Sequence, residues 1–573
     1  MSHKYVIIGG VAGGASAAAR LRRLDEDAQI VLLEKGPFVS FSNCSIPYYL
    51  NRLVPESANL ILMNPERFWN QYHIEVRTEH EATAIDRRRK VVTVRDVRTG
   101  EAQEEHYDKL VLAPGGTPIR PRSIRGLDGP RVFAIHTVPD VVRLDACLRQ
   151  HPGGRVAIIG GGFIGCEAAE CLREAGFDVT IVEAGPQILA PFDFDLVQIL
   201  HKELLDHGVH LILQDGLAAV TETGVTLQSG RALPADAVLL AIGVAPETGL
   251  ARDAGLEIGP TGGIRTDGNG QTSDADIFAV GDAVEVLNRL TRQPMRLALA
   301  WPAQMEARNA ADAICGEAHE RKGFLGSAVV RIFDQFAART GLNEAEATRA
   351  GIDWDYAYVI PMDKVSVLPG ARPLHLKVLF EKVTGRLLGA QAIGSEGAVR
   401  RIHVVAALLG LNGTLADLRD AELCYAPVTA TAKDAVNLAG LVGLNLLYGR
   451  FRQVHLTCVR ELVQSGAYLL DVREKAEFAA GHLLGAVNIP LSQLRNRLDE
   501  IPKDRPVYVH CRSAQRSYNA VCALQQRGWR EIYNIAGSYL ALSLYEAMQE
   551  RLYGKEKLEA IKGGSGASLH RGS

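Results

Sequence analysis

The sequence predicts an α/β protein of several domains, and three observations carry that expectation. The chain has 573 residues, about four times a typical ~150-residue domain. A short apolar strand, a glycine-rich turn, a helix and a second strand ending in an acid occur twice before its midpoint. Near the C-terminus a further segment sets a cysteine between a strand and a helix.

Composition narrows the function classes. Hydrophobic residues make up 47% and charged residues 23%, with a formal net charge of −3, which excludes a disordered or fibrous chain. Neither a basic surplus nor a long Lys/Arg run points to nucleic acid or an anionic membrane. Apolar stretches such as Leu438 to Leu447 fall short of the roughly 18 residues a membrane span needs. The nine cysteines are too scattered for a disulfide framework. Met1-Ser2-His3-Lys4 leads straight into strand-like Tyr5-Val6-Ile7-Ile8 without a signal peptide, so a cytoplasmic location is expected. Histidines and cysteines show no metal-ligand spacing, and no metal is expected. The 56 glycines are the unusual count; many follow apolar runs, where backbone turns tightly or meets a ligand closely.

In the first repeat, Tyr5 to Ile8 leads into Gly9-Gly10-Val11-Ala12-Gly13-Gly14, an Ala-rich helix through Leu24, and a strand from Gln29 to Leu33 ending in Glu34. In this arrangement a helix N-terminus faces a pyrophosphate and the acid takes ribose hydroxyls. Gly9, Ala12, Gly14, Glu34 and the adjoining Lys35 are the candidate residues, with Val11 in place of the usual middle glycine. The second repeat is cleaner. Arg155 to Ile159 leads into Gly160-Gly161-Gly162-Phe163-Ile164-Gly165, a helix through Ala175, and Asp178 to Val182 ending in Glu183. Here Gly160, Gly162, Ile164, Gly165 and Glu183 are the candidates. Two more strands end in tight turns, at Ala113-Pro114-Gly115 and Ala241-Ile242-Gly243, and Asp282 follows the strand-like Ile277 to Val280, where a carboxylate can bind a polyol chain.

Together these segments resemble the two-dinucleotide flavoprotein disulfide reductases. The resemblance implies two Rossmann-like domains, FAD on residues 1–115 and 246–322 and NAD(P)H on the inserted residues 116–245. An α+β dimerisation domain over 323–448, opening with the strand-like Ala328 to Phe333, implies a homodimer. Ser42, Asn43, Ala113, Gly115, Asp282 and Ala303 join the FAD set. Glu167 and Gly243 join the NADH set, with Glu167 against the nicotinamide. Glu183 favours NADH over NADPH with its extra phosphate, although some relatives accept both.

Cys44 lies in Phe41-Ser42-Asn43-Cys44-Ser45-Ile46-Pro47, among polar residues, with no second cysteine nearby. The usual paired-cysteine disulfide is therefore absent. This single-cysteine pattern resembles the coenzyme A disulfide reductases and their relatives, the NADH oxidases, NADH peroxidases and NADH-dependent persulfide reductases. The resemblance implies a catalytic Cys44 and, from Glu422-Leu423-Cys424-Tyr425-Ala426-Pro427, a Tyr425 that reaches the partner subunit's cysteine. It implies coenzyme A phosphates held by Arg20, Arg22 and Arg23, with Lys433 as a further contact. The chain departs from the pattern twice. Val367-Leu368 stands where two tyrosines precede Pro-Gly-Ala, and Trp301, Gln304 and Met305 stand where relatives more often carry Gly, Asn and Arg.

From Val454 the character changes. Asp471-Val472-Arg473, Gly481-His482-Leu483 and Gly485-Ala486-Val487-Asn488-Ile489-Pro490 precede a strand, Val507 to Val509, and then His510-Cys511-Arg512-Ser513-Ala514-Gln515-Arg516-Ser517. A cysteine there sits at the positive end of the following helix, where backbone N–H groups stabilise an anion. Residues 454–555 resemble a rhodanese domain, which implies that Cys511 accepts sulfane sulfur while Arg512 and Arg516 hold anionic donors. A short polar connector, Gly449 to Gln453, is expected to lead to this separate unit, and 556–573 to form a flexible tail.

The expected protein is thus an FAD- and NADH-dependent reductase of persulfide, polysulfide or coenzyme A disulfide. Electrons pass to a Cys44-bound sulfur, Cys511 supplies sulfane sulfur, and sulfide and thiol leave. The alternative is a coenzyme A disulfide reductase or NADH oxidase carrying an independent sulfurtransferase or sulfur-sensing module.

Overall fold

The computed structural model describes residues 2–317 and 322–560. The chain divides into two compact units, the first from residues 1–186 and 208–326, the second from 187–207 and residues beyond 327.

The first unit is one design built twice. In its first sheet Lys4–Ile8 is central, parallel to Gln29–Glu34 and Lys109–Leu112, with Ile277–Ala279 and Glu75–Thr78 at the edges. In the second, Arg155–Ile159 is central, parallel to Asp178–Val182 and Ala237–Leu240, with Val132–Phe133 and His210–Ile212 outermost. Both central strands read as apolar runs because both their faces are covered, as parallel strands require. Each sheet is accompanied by a three-stranded antiparallel meander, His80–Asp86 with Val91–Asp96 and Ala102–His106, and Leu217–Val220 with Gly224–Leu227 and Ala232–Pro234. The helices Ala12–Leu24 and Ala300–Ile314 share a core through Ala17, Ala18 and Leu21 on one and Ala307, Ala310 and Ala311 on the other. Small residues on both faces permit that packing.

The second unit holds two five-stranded sheets. One is antiparallel, in the order Ala328–Ile332, Gln335–Gly341, Leu387–Gly394, His375–Glu381, Trp354–Val359. The other is parallel, in the order Arg452–Val454, Ile532–Ile535, Val507–His510, Tyr468–Asp471, Val487–Asn488.

The connector expectation needs correction. Phe451 is buried, and Arg452–Val454 is an edge strand of the parallel sheet. Gln453 donates to Asp355 Oδ1 and to the Tyr356 carbonyl, each at 2.8 Å, and the His455 ring stacks on Tyr356 with centroids 4.3 Å apart. These residues fasten the cysteine-loop module to the antiparallel sheet. The tail also begins later than expected. Leu558 is buried and Glu559–Ala560 pairs with His482–Leu483, whereas residues beyond 560 lie outside the described residues.

Residues 187–207, placed by sequence inside the span 116–245, pack with the second unit for a physical reason. The helix Phe194–Asp206 sets its Phe194 ring 6.0 and 5.7 Å from those of Tyr545 and Tyr553. Asp195 and the preceding Asp193 meet Lys377, which is fully buried; its Nζ lies 2.9 and 3.0 Å from the Asp195 oxygens and 3.2 Å from Asp193, and also pairs with Glu344. Burial works against the Lys377 charge, but the three carboxylates outweigh it and hold the ammonium well above its usual range. Burial pushes Glu344 up to about 7 against the pull of Lys377. Removing one member strands buried charge, which costs about 3–5 kcal/mol. Lys377→Met is therefore expected to lower stability by roughly that amount in denaturant titrations followed on the second unit.

Candidate active sites

The two glycine loops are superimposable in their chemistry. Gly9 and Gly160 both take left-handed φ, +96° and +106°, and a Cβ on either would lie 2.0 Å from the Ala113 carbonyl oxygen or 2.4 Å from that of Ala241. A Cβ on Gly14 would lie 1.8 Å from Gly9 O, and one on Gly165 2.0 Å from Gly160 O. Only glycine lets each helix press this closely on its loop and aim its N-terminus at the turn. The acids also act alike. Glu34 accepts from the N–H groups of Gly10 at 2.9 Å and Gly36 at 2.7 Å, while Glu183 accepts from Gly161 and Gly185, both at 2.7 Å. Gly162 faces open space, so no neighbour explains its lack of a side chain. A cradle of this shape, with a carboxylate beside it, fits a dinucleotide at each loop, Gly9 to Gly14 and Gly160 to Gly165. Ala12 opens the first helix, Lys35 is exposed beside Glu34, and Ile164 is exposed on the first turn of the second helix. Gly115 and Gly243 turn with φ of +72° and +107°, and Ala303 is buried in the helix Ala300–Ile314.

Cys44 occupies a short turn, Asn43–Ser45, followed by a second turn that starts at Pro47. Asn43 is exposed, and the hydroxyls of Ser42 and Ser45 are 2.8 Å apart. Cys44 keeps an open face, but protein surrounds its other sides; that burial, then the charges of Glu167 and Asp282, push its thiol up. The predicted nicotinamide residue and the predicted polyol-binding acid thus both act on the predicted catalytic sulfur. Burial, then Glu170, pushes the Glu167 carboxyl up to about 7. Burial also raises Asp282, opposed by His136.

A cavity of about 400 Å³ opens between the helices Ala12–Leu24 and Ala300–Ile314. Arg20, Arg23 and Arg308 line it together with Trp301, Gln304, Met305 and Tyr72. Arg20 pairs with Asp312 at 2.6 Å, and Arg308 approaches the same carboxylate at 3.8 Å. Three cations against one carboxylate suit an anionic ligand. Arg22 does not join them, and this corrects the expectation. Its guanidinium is buried and donates to five main-chain carbonyls, those of Asp25, Glu26, Ala28, Tyr72 and His73. Arg22 holds the chain together and offers no donor to a ligand. Tyr425 and Lys433 are exposed side chains of the second unit.

Cys511 is buried at the end of the strand Val507–His510. Its N–H donates to Ser538 Oγ at 3.2 Å, and Ser517 Oγ lies 3.5 Å from its sulfur. Ala514 turns with φ of +70° and leads into the helix Gln515–Gln525. Arg516 is clamped by Glu477 through two bonds of 2.6 and 2.7 Å, and hydrogen bonding to Arg516 holds Glu477 down at about 2. The Arg516 charge is thus paired with a part-exposed carboxylate in this structure. Arg512 is exposed on the same loop.

Sequence reasoning missed Arg308 on the far wall of the cavity, and Ser517, Ser538 and Glu477 as partners of the Cys511 loop. The signal for the wall was available: Trp301, Gln304, Met305 and Arg308 recur at the spacing of one helix face.

Folds and sites of this kind define a dinucleotide-dependent redox protein with a second, sulfur-handling loop. The chain belongs to the pyridine nucleotide-disulphide oxidoreductases, whose family model matches residues 3–307, with the dimerisation domain of that family matching 328–436 and a rhodanese-like domain matching 456–544. It is an FAD- and NAD(H)-binding family. The chain is 31% identical over 439 residues to a coenzyme A disulfide reductase of Staphylococcus epidermidis, covering 76% of this chain and 99% of the relative. Among solved structures, it is similar to the reduced CoADR-RHD of Bacillus anthracis, with 38% identity, a TM-score of 0.93 and coverage of 96% and 99%. It is also similar to a NAD-dependent persulfide reductase from A. fulgidus, with 31% identity, a TM-score of 0.89 and coverage of 94% and 99%. Among the described residues no helix is long and apolar enough to cross a membrane.

Two arginines separate structural from ligand-binding roles. Arg22→Ala leaves buried carbonyls unpaired, each at about 1–3 kcal/mol, and is expected to lower the melting temperature. Arg23→Ala is expected to leave melting unchanged and to raise KM for an anionic disulfide in steady-state assays. Glu167 gives a pH test. Its folded value lies above that of a free carboxyl, so ionising it costs stability as pH rises from about 4.5 to about 7. Glu167→Gln is therefore expected to raise the melting temperature at pH 8 and leave it unchanged at pH 4, read by calorimetry on the apoprotein.

Proposed function

We propose that this protein is a homodimeric, NADH-dependent reductase of sulfane sulfur and disulfides carried on coenzyme A, with Cys44 as the sulfur that meets the substrate and Cys511 as a sulfurtransferase centre. The observation that carries the reading is an exposed Cys44, with no other cysteine in its turn, in the unit that also holds both glycine loops. Bound at the first loop, FAD would supply a two-electron relay between the nicotinamide and Cys44. The Cys44 thiolate attacks a coenzyme A persulfide or disulfide, releasing hydrosulfide or a coenzyme A thiolate and leaving Cys44 in a mixed disulfide. Two electrons and a proton then return Cys44 to the thiolate and free the remaining thiol. Arg20, Arg23 and Arg308 hold the substrate's phosphates, and the Trp301 ring at the rim offers a stacking surface for its base. Tyr425 from the other subunit donates a hydrogen bond to the leaving thiolate, and Lys433 adds a phosphate contact. Glu183 accepts from the ribose hydroxyls and repels a 2′-phosphate, so NADH is preferred over NADPH. Cys511 takes sulfane sulfur from an anionic donor met by Arg512.

The test is NADH oxidation with coenzyme A persulfide, coenzyme A disulfide and polysulfide. Cys44→Ser is expected to lose all three activities by more than about a hundredfold. Cys511→Ser is expected to keep the first two and to lose sulfur transfer from thiosulfate. Persulfide reduction surviving in Cys44→Ser contradicts the proposal.

A further inference from the structure

The loop that carries Cys511 is held by the start of the helix Ser538–Tyr553. Ser538 Oγ accepts the Cys511 N–H at 3.2 Å and lies 3.4 Å from Ser517 Oγ, the hydroxyl beside the Cys511 sulfur. The next two N–H groups also grip the loop, Tyr539 to the Cys511 carbonyl at 3.0 Å and Leu540 to that of Arg512 at 2.9 Å. All of them open the helix Ser538–Tyr553, whose first residue must turn abnormally to do this. Ser538 has φ of +50° and the preceding Gly537 φ of +71°, two left-handed residues in succession. Left-handed φ is disfavoured for serine and persists only where its surroundings enforce it.

What enforces it is the antiparallel sheet. Gly537 approaches the ring of Tyr358 so closely that a Cβ would come 2.7 Å from Tyr358 Cε1 and 2.8 Å from Ala541 Cβ. Tyr358 sits in the strand Trp354–Val359 and is itself fixed, buried, with its hydroxyl 2.7 Å from Nδ1 of His375 on the adjacent strand. Burial holds the His375 ring neutral near neutral pH, so this contact is a neutral hydrogen bond. Farther along, the same helix packs by Tyr545 and Tyr553 against Phe194. A chain of contacts therefore runs from His375 through Tyr358, Gly537 and Ser538 to Cys511.

We propose that Tyr358, a residue of the dimerisation domain, is a positioning residue for sulfur transfer at Cys511, acting through the Gly537–Ser538 turn. The proposal rests on the reading of Cys511 as a sulfur acceptor. Removing the ring lets the turn relax, moves Ser538 Oγ and Ser517 Oγ relative to the sulfur, and misaligns the loop without touching Arg512. The effect falls on turnover and not on donor binding.

The experiment uses the full-length, FAD-loaded protein with thiosulfate as donor and cyanide as acceptor, and mass spectrometry of the Cys511 peptide to follow gain of one sulfur atom. Tyr358→Ala and Gly537→Ala are each expected to lower kcat for sulfur transfer by about 10- to 100-fold, with KM for thiosulfate held within about threefold. Tyr358→Phe, which keeps the ring, is expected to restore transfer. NADH-dependent reduction of coenzyme A disulfide, measured on the same preparations, is expected to be unchanged and reports that the protein is folded. Where Tyr358→Ala does not retain FAD, Tyr358→Leu serves in its place. Wild-type kcat in the ring-deleted variant, a change confined to KM, or parallel loss of both activities overturns the positioning role. If the wild type gains no sulfur at Cys511, the acceptor reading fails first and takes the positioning role with it.

Discussion

The first unit depends on a backbone contact that only glycine permits. Gly14 presses on the carbonyl of Gly9, and Gly165 on that of Gly160, at distances that leave no space for a Cβ. This contact sets the angle of the following helix and so where its N-terminal N–H groups point. It also brings the helix face carrying Arg20 and Arg23 against the helix Ala300–Ile314, creating the cationic cavity. The acids Glu34 and Glu183 tie the loops to the next strand in the same way, so a single local solution is used twice.

The two sulfur sites solve opposite problems. Cys44 has an open face, and burial, then the charges of Glu167 and Asp282, push its thiol up. Cys511 is buried, with the Ser517 hydroxyl 3.5 Å from its sulfur and helix N–H groups bonded to the carbonyls of its loop. The second is not a loosely tethered module. Gln453, His455 and Gly537 contact Asp355, Tyr356 and Tyr358 of the antiparallel sheet, while Phe451 packs in the module's own core.

Much of this was legible in the chain because it is local. The strands Arg155–Ile159 and Asp178–Val182 fall where the apolar runs place them, and the glycine spacing identifies both loops. Arg22 was misread because its partners are carbonyls, which carry no signature, and two of them lie about fifty residues away. The pairing of Arg516 with Glu477 was not legible because Glu477 lies 39 residues upstream. The Lys377 cluster draws on separate segments around Asp193, Glu344 and Lys377, and its two aspartates moved the helix Phe194–Asp206 out of the unit that sequence order assigns it. The connector reads as polar but carries Phe451, whose burial decides its structure.

The central claim is that one cysteine meets the disulfide substrate. The most direct measurement mixes the FAD-loaded protein with one equivalent of coenzyme A disulfide without NADH, quenches, and maps the adduct by peptide mass spectrometry. The account predicts a coenzyme A mixed disulfide on Cys44, absent from the other eight cysteines, and lost when NADH is added. An adduct on Cys424 or Cys511 with Cys44 free, or a Cys44 adduct that NADH does not release, contradicts it.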